Sequence, residues 1–100
     1  MFGLKEENIN NINHIFASFP EVEEVIIFGS RSKGTHKRGS DIDLVITKGD
    51  VEFTLLNKLT EKLDDLLLPY HIDLCLFSLI DNPDLIEQIK RAGKIFYTKA

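Results

Sequence analysis

The chain reads Phe28-Gly29-Ser30-Arg31-Ser32-Lys33-Gly34 and, after Thr35-His36-Lys37, continues Arg38-Gly39-Ser40-Asp41-Ile42-Asp43-Leu44. Before this stretch, Glu23 to Phe28 is β-branched and aromatic and predicts a buried strand that stops at Gly29-Ser30. Arg31 to Ser40 is mostly polar with two glycines and predicts a loop with room for a helical turn. Asp41 to Ile46 then alternates acid or polar with apolar and predicts a second strand.

Outward from this centre, Lys5 to Phe19 reads as a helix, with Leu4, Ile9, Ile12, Ile15, Phe16 and Phe19 at helical spacing, and Pro20 ends it. Thr47 to Asp50 predicts a turn with Asp50 as N-cap. Leu55, Leu56, Leu59, Leu63, Leu66 and Leu67 define an amphipathic helix that ends before Pro69. His71 to Phe77 predicts a third strand. Asn82-Pro83-Asp84 is a helix start, with an N-cap residue, proline in the first turn and an acid beside it; that helix turns Leu85, Ile86 and Ile89 inward and stops at Gly93. Lys94 to Tyr97 is a short last strand or tail. The order α-β-β-α-β-α-β predicts an α/β (α+β) fold, a small mixed sheet flanked by helices, in one domain over residues 1–100.

The composition is that of an ordinary globular domain, with 43% hydrophobic and 28% charged residues. No apolar run is long enough to span a bilayer, and the N-terminus lacks the basic-then-apolar order of a signal peptide. The single cysteine, Cys75, excludes an internal disulfide framework and fits a reducing cytoplasm. The net charge of −4 argues against direct nucleic-acid binding by the whole surface. The charge is unevenly distributed. No acid lies between Glu24 and Asp41, a segment that carries Arg31, Lys33, Lys37 and Arg38 with His36 beside them. A cationic loop followed at once by paired carboxylates suits a small polyanion held with a divalent metal.

Alternation supplies the chemistry. Ile42, Leu44 and Ile46 share one strand face, leaving Asp41 and Asp43 on the other, with Cα atoms about 6.6–7 Å apart. In the third strand Ile72, Leu74 and Leu76 share a face and Asp73 takes the opposite one. If the two strands are neighbours, three carboxylates meet on one patch. They repel unless a cation sits among them, and hard oxygen donors select Mg²⁺ or Mn²⁺ over zinc. Two such ions roughly 3.5–4 Å apart would suit in-line displacement at phosphorus. The plain alternative is the polar face of a half-exposed strand, and D-x-D alone is too short to displace it. Gly29-Ser30 alone would likewise be a solvated turn. The conjunction decides, because glycine admits a close-lying ligand, Ser30 offers a hydroxyl and an N–H to phosphate, and the basic residues neutralise charge. Neither G-x-G-x-x-G nor G-x-x-x-x-G-K-[ST] is present, which weighs against dinucleotide-fold and P-loop alternatives.

The combined pattern resembles the signature of the DNA polymerase β-like nucleotidyltransferase superfamily: G-S, a spacer of ten residues (31–40), D-x-D, and a later strand aspartate, here His71-Ile72-Asp73-Leu74. The resemblance covers nearly the whole chain and is nearest to the minimal nucleotidyltransferase (MNT) proteins. It implies that Gly29 and Ser30 bind the triphosphate, that Asp41 and Asp43 hold two Mg²⁺ ions, and that Asp73 holds one ion and helps deprotonate the attacking hydroxyl. Ser40, within the motif, joins the nucleotide-binding set; Arg31 and Arg38 are added to it from charge and position. The implied reaction transfers a nucleoside monophosphate, AMP from ATP, to a hydroxyl. MNT proteins often pair with a helical HEPN-type toxin as its antitoxin and place AMP on a tyrosine of that partner. Two other functions stand beside this one. The chain could neutralise a partner by contact alone, through Phe2, Leu4 and the leucine-rich helix, or modify a small molecule of aminoglycoside type, which usually needs a further domain or a dimer to wall the pocket. Homo- or hetero-oligomers fit either.

The remaining chemistry-bearing residues read as structural. Cys75 falls on the Asp73 face and is expected to be a packed thiol. His14 and His71 are expected in solvent, His36 is a weak phosphate contact, and Tyr70 and Tyr97 are expected to pack; histidines this scattered form no zinc site.

Overall fold

Helix α1 covers Glu6–Ala17 and strand β1 covers Val22–Phe28; a one-turn helix α2 follows at Ser30–Lys33, and β2 at Ile42–Gly49. Then come α3 (Phe53–Asp64), β3 (Ile72–Leu76), a 3₁₀ turn (Phe77–Leu79), α4 (Pro83–Ala92) and β4 (Lys94–Thr98). The computed structural model describes residues 1–37 and 39–100. The strands form one mixed sheet in the order β3-β2-β1-β4. β1 lies antiparallel to both β2 and β4, and β2 lies parallel to β3. The expected mixed sheet with flanking helices is present, and the C-terminal segment is a true strand on β1.

Period-two alternation sorts the sheet into two faces. Val25, Ile27, Ile42, Leu44, Ile46, Ile72 and Leu76 pack on one side against Ile12 and Phe16 of α1 and Leu59 and Leu63 of α3. The other side is smaller: Phe28 and Val45 pack with Ile89 of α4, and Ile26, Cys75 and Leu85 close around them. Asn82 caps α4 as its sequence predicts, its side-chain oxygen accepting from the N–H groups of Asp84 (3.0 Å) and Leu85 (3.4 Å). Gly93 follows α4 with an extended φ of −66° rather than a left-handed one. Glycine is required there for space, since a Cβ would strike the Ile89 carbonyl and sit 2.7 Å from Ile26 Cγ2.

Several local expectations change. β2 continues through Thr47–Gly49 because β1 still offers ladder partners there, Glu24 opposite Lys48 and Val22 opposite Gly49. The turn is therefore displaced, and Glu52 rather than Asp50 stands at the N-cap of α3, without a side-chain bond. Leu67 lies beyond α3 with φ +53° and is 87% exposed, so it does not belong to the apolar stripe. Leu4 offers no contact surface, and Phe2 is partly buried against the core. Leu4 is buried, and the Phe2 ring packs 6.1 Å from that of Phe96. Tyr97 packs on Phe16, and His14 is exposed, both as expected.

Candidate active site

The parallel pairing of β2 with β3 aligns Ile42 with Ile72, Asp43 with Asp73, Leu44 with Leu74 and Val45 with Cys75. Asp43 and Asp73 are therefore direct neighbours across adjacent strands, about 4.8 Å apart at the backbone. Both turn away from the Ile42–Leu44–Ile72 core. On the other side of β2, Phe28 stands opposite Asp43. A row Phe28–Asp43–Asp73 thus crosses three strands. The next row, Ile26–Val45–Cys75, contributes to the small core that α4 completes. The aspartate row lies at the margin of that core: Asp43 is half-buried and Asp73 exposed. Asp41 immediately precedes β2 and is exposed; the N–H of Ile42 donates to the His71 carbonyl at 2.9 Å, which ties this entry point to β3.

The electrostatics follow from this placement. Burial pushes the Asp43 carboxyl above its usual range, and the charges of Asp73 and Asp41 push it further; His71 and Arg31 pull it back. The Cys75 thiol, buried and near Asp73 and Asp43, is raised to about 11, so it is an inert packed thiol at neutral pH.

Gly29 touches this cluster directly. It stands at φ +76°, ψ −152°, and a Cβ built on it would lie 2.5 Å from Asp43 Oδ2. A side chain there would be strained by that φ and would press on the carboxylate, so the backbone of the β1–α2 turn lies directly against Asp43. Ser32, buried and unnoticed in the sequence, donates its hydroxyl to the Gly29 carbonyl at 3.0 Å and helps fix that turn. The only signal for it is a hydroxyl three residues after the turn, a common local bond. Ser30 opens α2 and is half-exposed.

Arg31 is a correction. Its expected place on a phosphate does not match its position, because it is only 3% exposed and its donors meet backbone carbonyls. Nε donates to the carbonyls of Ser40 (3.1 Å) and Asp41 (3.3 Å), Nη2 to that of Ser40 (2.8 Å) and Nη1 to that of Phe2 (2.9 Å). The guanidinium also lies 4.7 Å from the centre of the Tyr70 ring. The Ser40 hydroxyl accepts from the Lys37 N–H at 2.8 Å, which leaves its own O–H to donate. His36 lies against Gly3 rather than open solvent, with a buried Nδ1 that has no partner among the described residues. Arg38, the other basic nucleotide candidate, lies outside the described residues.

The donor set fits a hard divalent cation: oxygen-only ligands, a neighbouring backbone cradle that a Cβ would fill, and like charges that a cation would relieve. Among the described residues no three acidic, histidine or cysteine side chains are grouped so as to hold a metal ion by themselves. The clefts of about 350 and 560 Å³ on the surface are lined by other residues, among them Glu21 and Lys58 in one and Lys5 and Tyr70 in the other. Among the described residues no helix is long and apolar enough to cross a membrane.

None of the curated protein sequences matches this chain. Solved structures do. A toxin–antitoxin complex with AMP-PNP superposes with a TM-score of 0.69 at 27% identity, covering 96% of this chain and 75% of that one. The MntA-HpeT toxin–antitoxin in a tyrosine-to-alanine variant gives 0.66 at 27%, covering 92% and 71%. An MNT antitoxin in complex with the tri-AMPylated Shewanella oneidensis HEPN toxin gives 0.69 at 22%, over 96% and 74%, and shows the fold alone. The sequence profile of the family described as "Polymerase beta, Nucleotidyltransferase" matches residues 10–100. With that match over almost the whole chain and the aspartate row in the register described, the chain belongs to the polymerase β nucleotidyltransferase family.

Proposed function

We propose that this chain is a Mg²⁺-dependent nucleotidyltransferase that moves AMP from ATP onto a tyrosine hydroxyl of a HEPN-type toxin, and so acts as its antitoxin in the cytoplasm. The observation that carries the reading is the pairing of Asp43 with Asp73 on the face opposite the main core, next to a Gly29 backbone that lies directly against Asp43. Asp41 and Asp43 would hold two metal ions and Asp73 one of them. Bound there, Mg²⁺ (or Mn²⁺) supplies charge neutralisation on the triphosphate and activation of the attacking and leaving oxygens. The backbone of Gly29 and the hydroxyl and N–H of Ser30 orient the phosphates, and Ser40 offers a hydroxyl donor nearby. Asp73, the more exposed of the paired carboxylates, takes the proton from the acceptor hydroxyl. That oxygen then bonds to the α-phosphorus as the bond to pyrophosphate breaks.

Two observations favour a protein acceptor. The carboxylates lie at the margin of an open sheet face rather than inside either of the described clefts. The structural neighbours at 27% identity are toxin–antitoxin complexes, one of them holding AMP-PNP. The HEPN identity of the partner follows the MNT resemblance. The test incubates the pure chain with α-labelled ATP, Mg²⁺ and the HEPN-type protein that co-purifies with it. The partner should gain whole AMP units by intact mass, and Asp41→Asn with Asp43→Asn should abolish the gain. An unlabelled partner with folded wild-type chain contradicts the reading. Full neutralisation by the double variant would assign the effect to contact alone.

A further inference from the structure

Arg31 is the one buried charged side chain among the described residues, and no carboxylate there lies within ion-pairing distance of it. Burying a guanidinium without a counter-charge costs several kcal/mol unless its donors are met. They are met by three carbonyls and an aromatic face, drawn from three separate parts of the chain. Phe2 belongs to the N-terminal segment, Ser40 and Asp41 to the last residues of the loop, and Tyr70 to the approach to β3. Arg31 itself sits one residue after Ser30, in the helix that begins at the glycine turn. Two of its carbonyl partners therefore lie where the chain enters β2, and the next residue, Ile42, is fastened to β3 through its N–H.

We propose that Arg31 is a positioning residue: its guanidinium locks the backbone of Ser40 and Asp41 to the Gly29–Ser30 turn, so that the carboxylates of Asp41 and Asp43 face the same ligand as that turn. This rests on the metal-binding reading of the aspartates. The fork geometry is essential, because Nε and Nη2 grip adjacent carbonyls on one side while Nη1 reaches Phe2 on the other. A lysine ammonium is a single point donor and cannot span both. The planar group also stacks on Tyr70, which an ammonium does less well.

The experiment measures Mn²⁺ binding to the full chain, by the loss of the free-ion spin-resonance signal, with a non-hydrolysable ATP analogue present. Arg31→Lys should keep the wild-type circular dichroism yet bind Mn²⁺ about 10–100-fold more weakly, the range typical of residues that orient metal ligands. Arg31→Ala should lose more, and free guanidinium at sub-denaturing concentration should restore binding where ammonium does not. Wild-type affinity in Arg31→Lys overturns the proposal, as does a loss in Arg31→Ala that guanidinium leaves unrepaired. If Arg31→Ala does not fold, Tyr70→Leu takes its place. It removes only the ring beneath the guanidinium and should weaken Mn²⁺ binding in the same direction, and unchanged binding there is equally contrary. Asp43→Asn separates the two claims, since undiminished Mn²⁺ binding in that variant contradicts the metal reading itself, whatever Arg31 does.

Discussion

Asp43 is a carboxylate placed against its own charge preference. Its carboxylate is half-buried, has Asp73 beside it in register and Asp41 two residues away, and lies close against Gly29. Burial first, and then the two neighbouring charges, raise its pKa above the ordinary 3.8. The sign for stability follows. Below the unfolded value both states are protonated and the group is neutral in effect. As pH rises from there to the raised folded value, the unfolded chain ionises more easily, and folding is progressively penalised. Above the folded value the penalty is constant. In metal-free buffer, Asp43→Asn should therefore raise Tm at neutral pH, and the gain should vanish as pH falls below the ordinary aspartate range. With Mg²⁺ and nucleotide the order should reverse, because only the wild type gains from binding. Thermal melts across pH, with and without the ligands, check both parts, and a metal-free wild type more stable than the variant at pH 7 contradicts the crowding. The strand faces of Asp43 and Asp73 were legible from alternation. Arg31 was not, because a charge in a basic loop gives no hint that backbone carbonyls, rather than phosphate, surround it.

The elements were read best where side chains dictate backbone locally. Asn82-Pro83-Asp84 predicts the start of α4, and both cap bonds form. Replacing Asn82 by alanine orphans two N–H groups and should cost about 1 kcal/mol in urea denaturation. A shift below a few tenths would mean that solvent serves those donors equally well. The reading failed where tertiary pairing overrides local signals. Thr47-Lys48-Gly49 looks like a turn, yet β1 holds it in the ladder, and the helix after it starts later and without the expected cap. Leu67 fits the helical spacing of its leucine neighbours, but α3 has already ended, and the side chain projects into solvent.

At the scale of the whole molecule, the sheet order β3-β2-β1-β4 turns two strand patterns into one site. Alternation told which face each aspartate takes. It could not tell which strands are neighbours or in what register, since those depend on how α1 and α3 cover one face and α4 the other. The parallel β2–β3 pairing, with Asp43 level with Asp73, supplies what local pattern lacked, and Asp73 stays exposed. The most direct test is anomalous diffraction from crystals grown with Mn²⁺ and a non-hydrolysable ATP analogue. Manganese should lie within about 2.0–2.3 Å of carboxylate oxygens of Asp41 and Asp43, with Asp73 on the same ion or its neighbour and the triphosphate against Gly29 and Ser30. Manganese bound away from the Asp43–Asp73 row, or nucleotide bound with that row left free, would contradict the account.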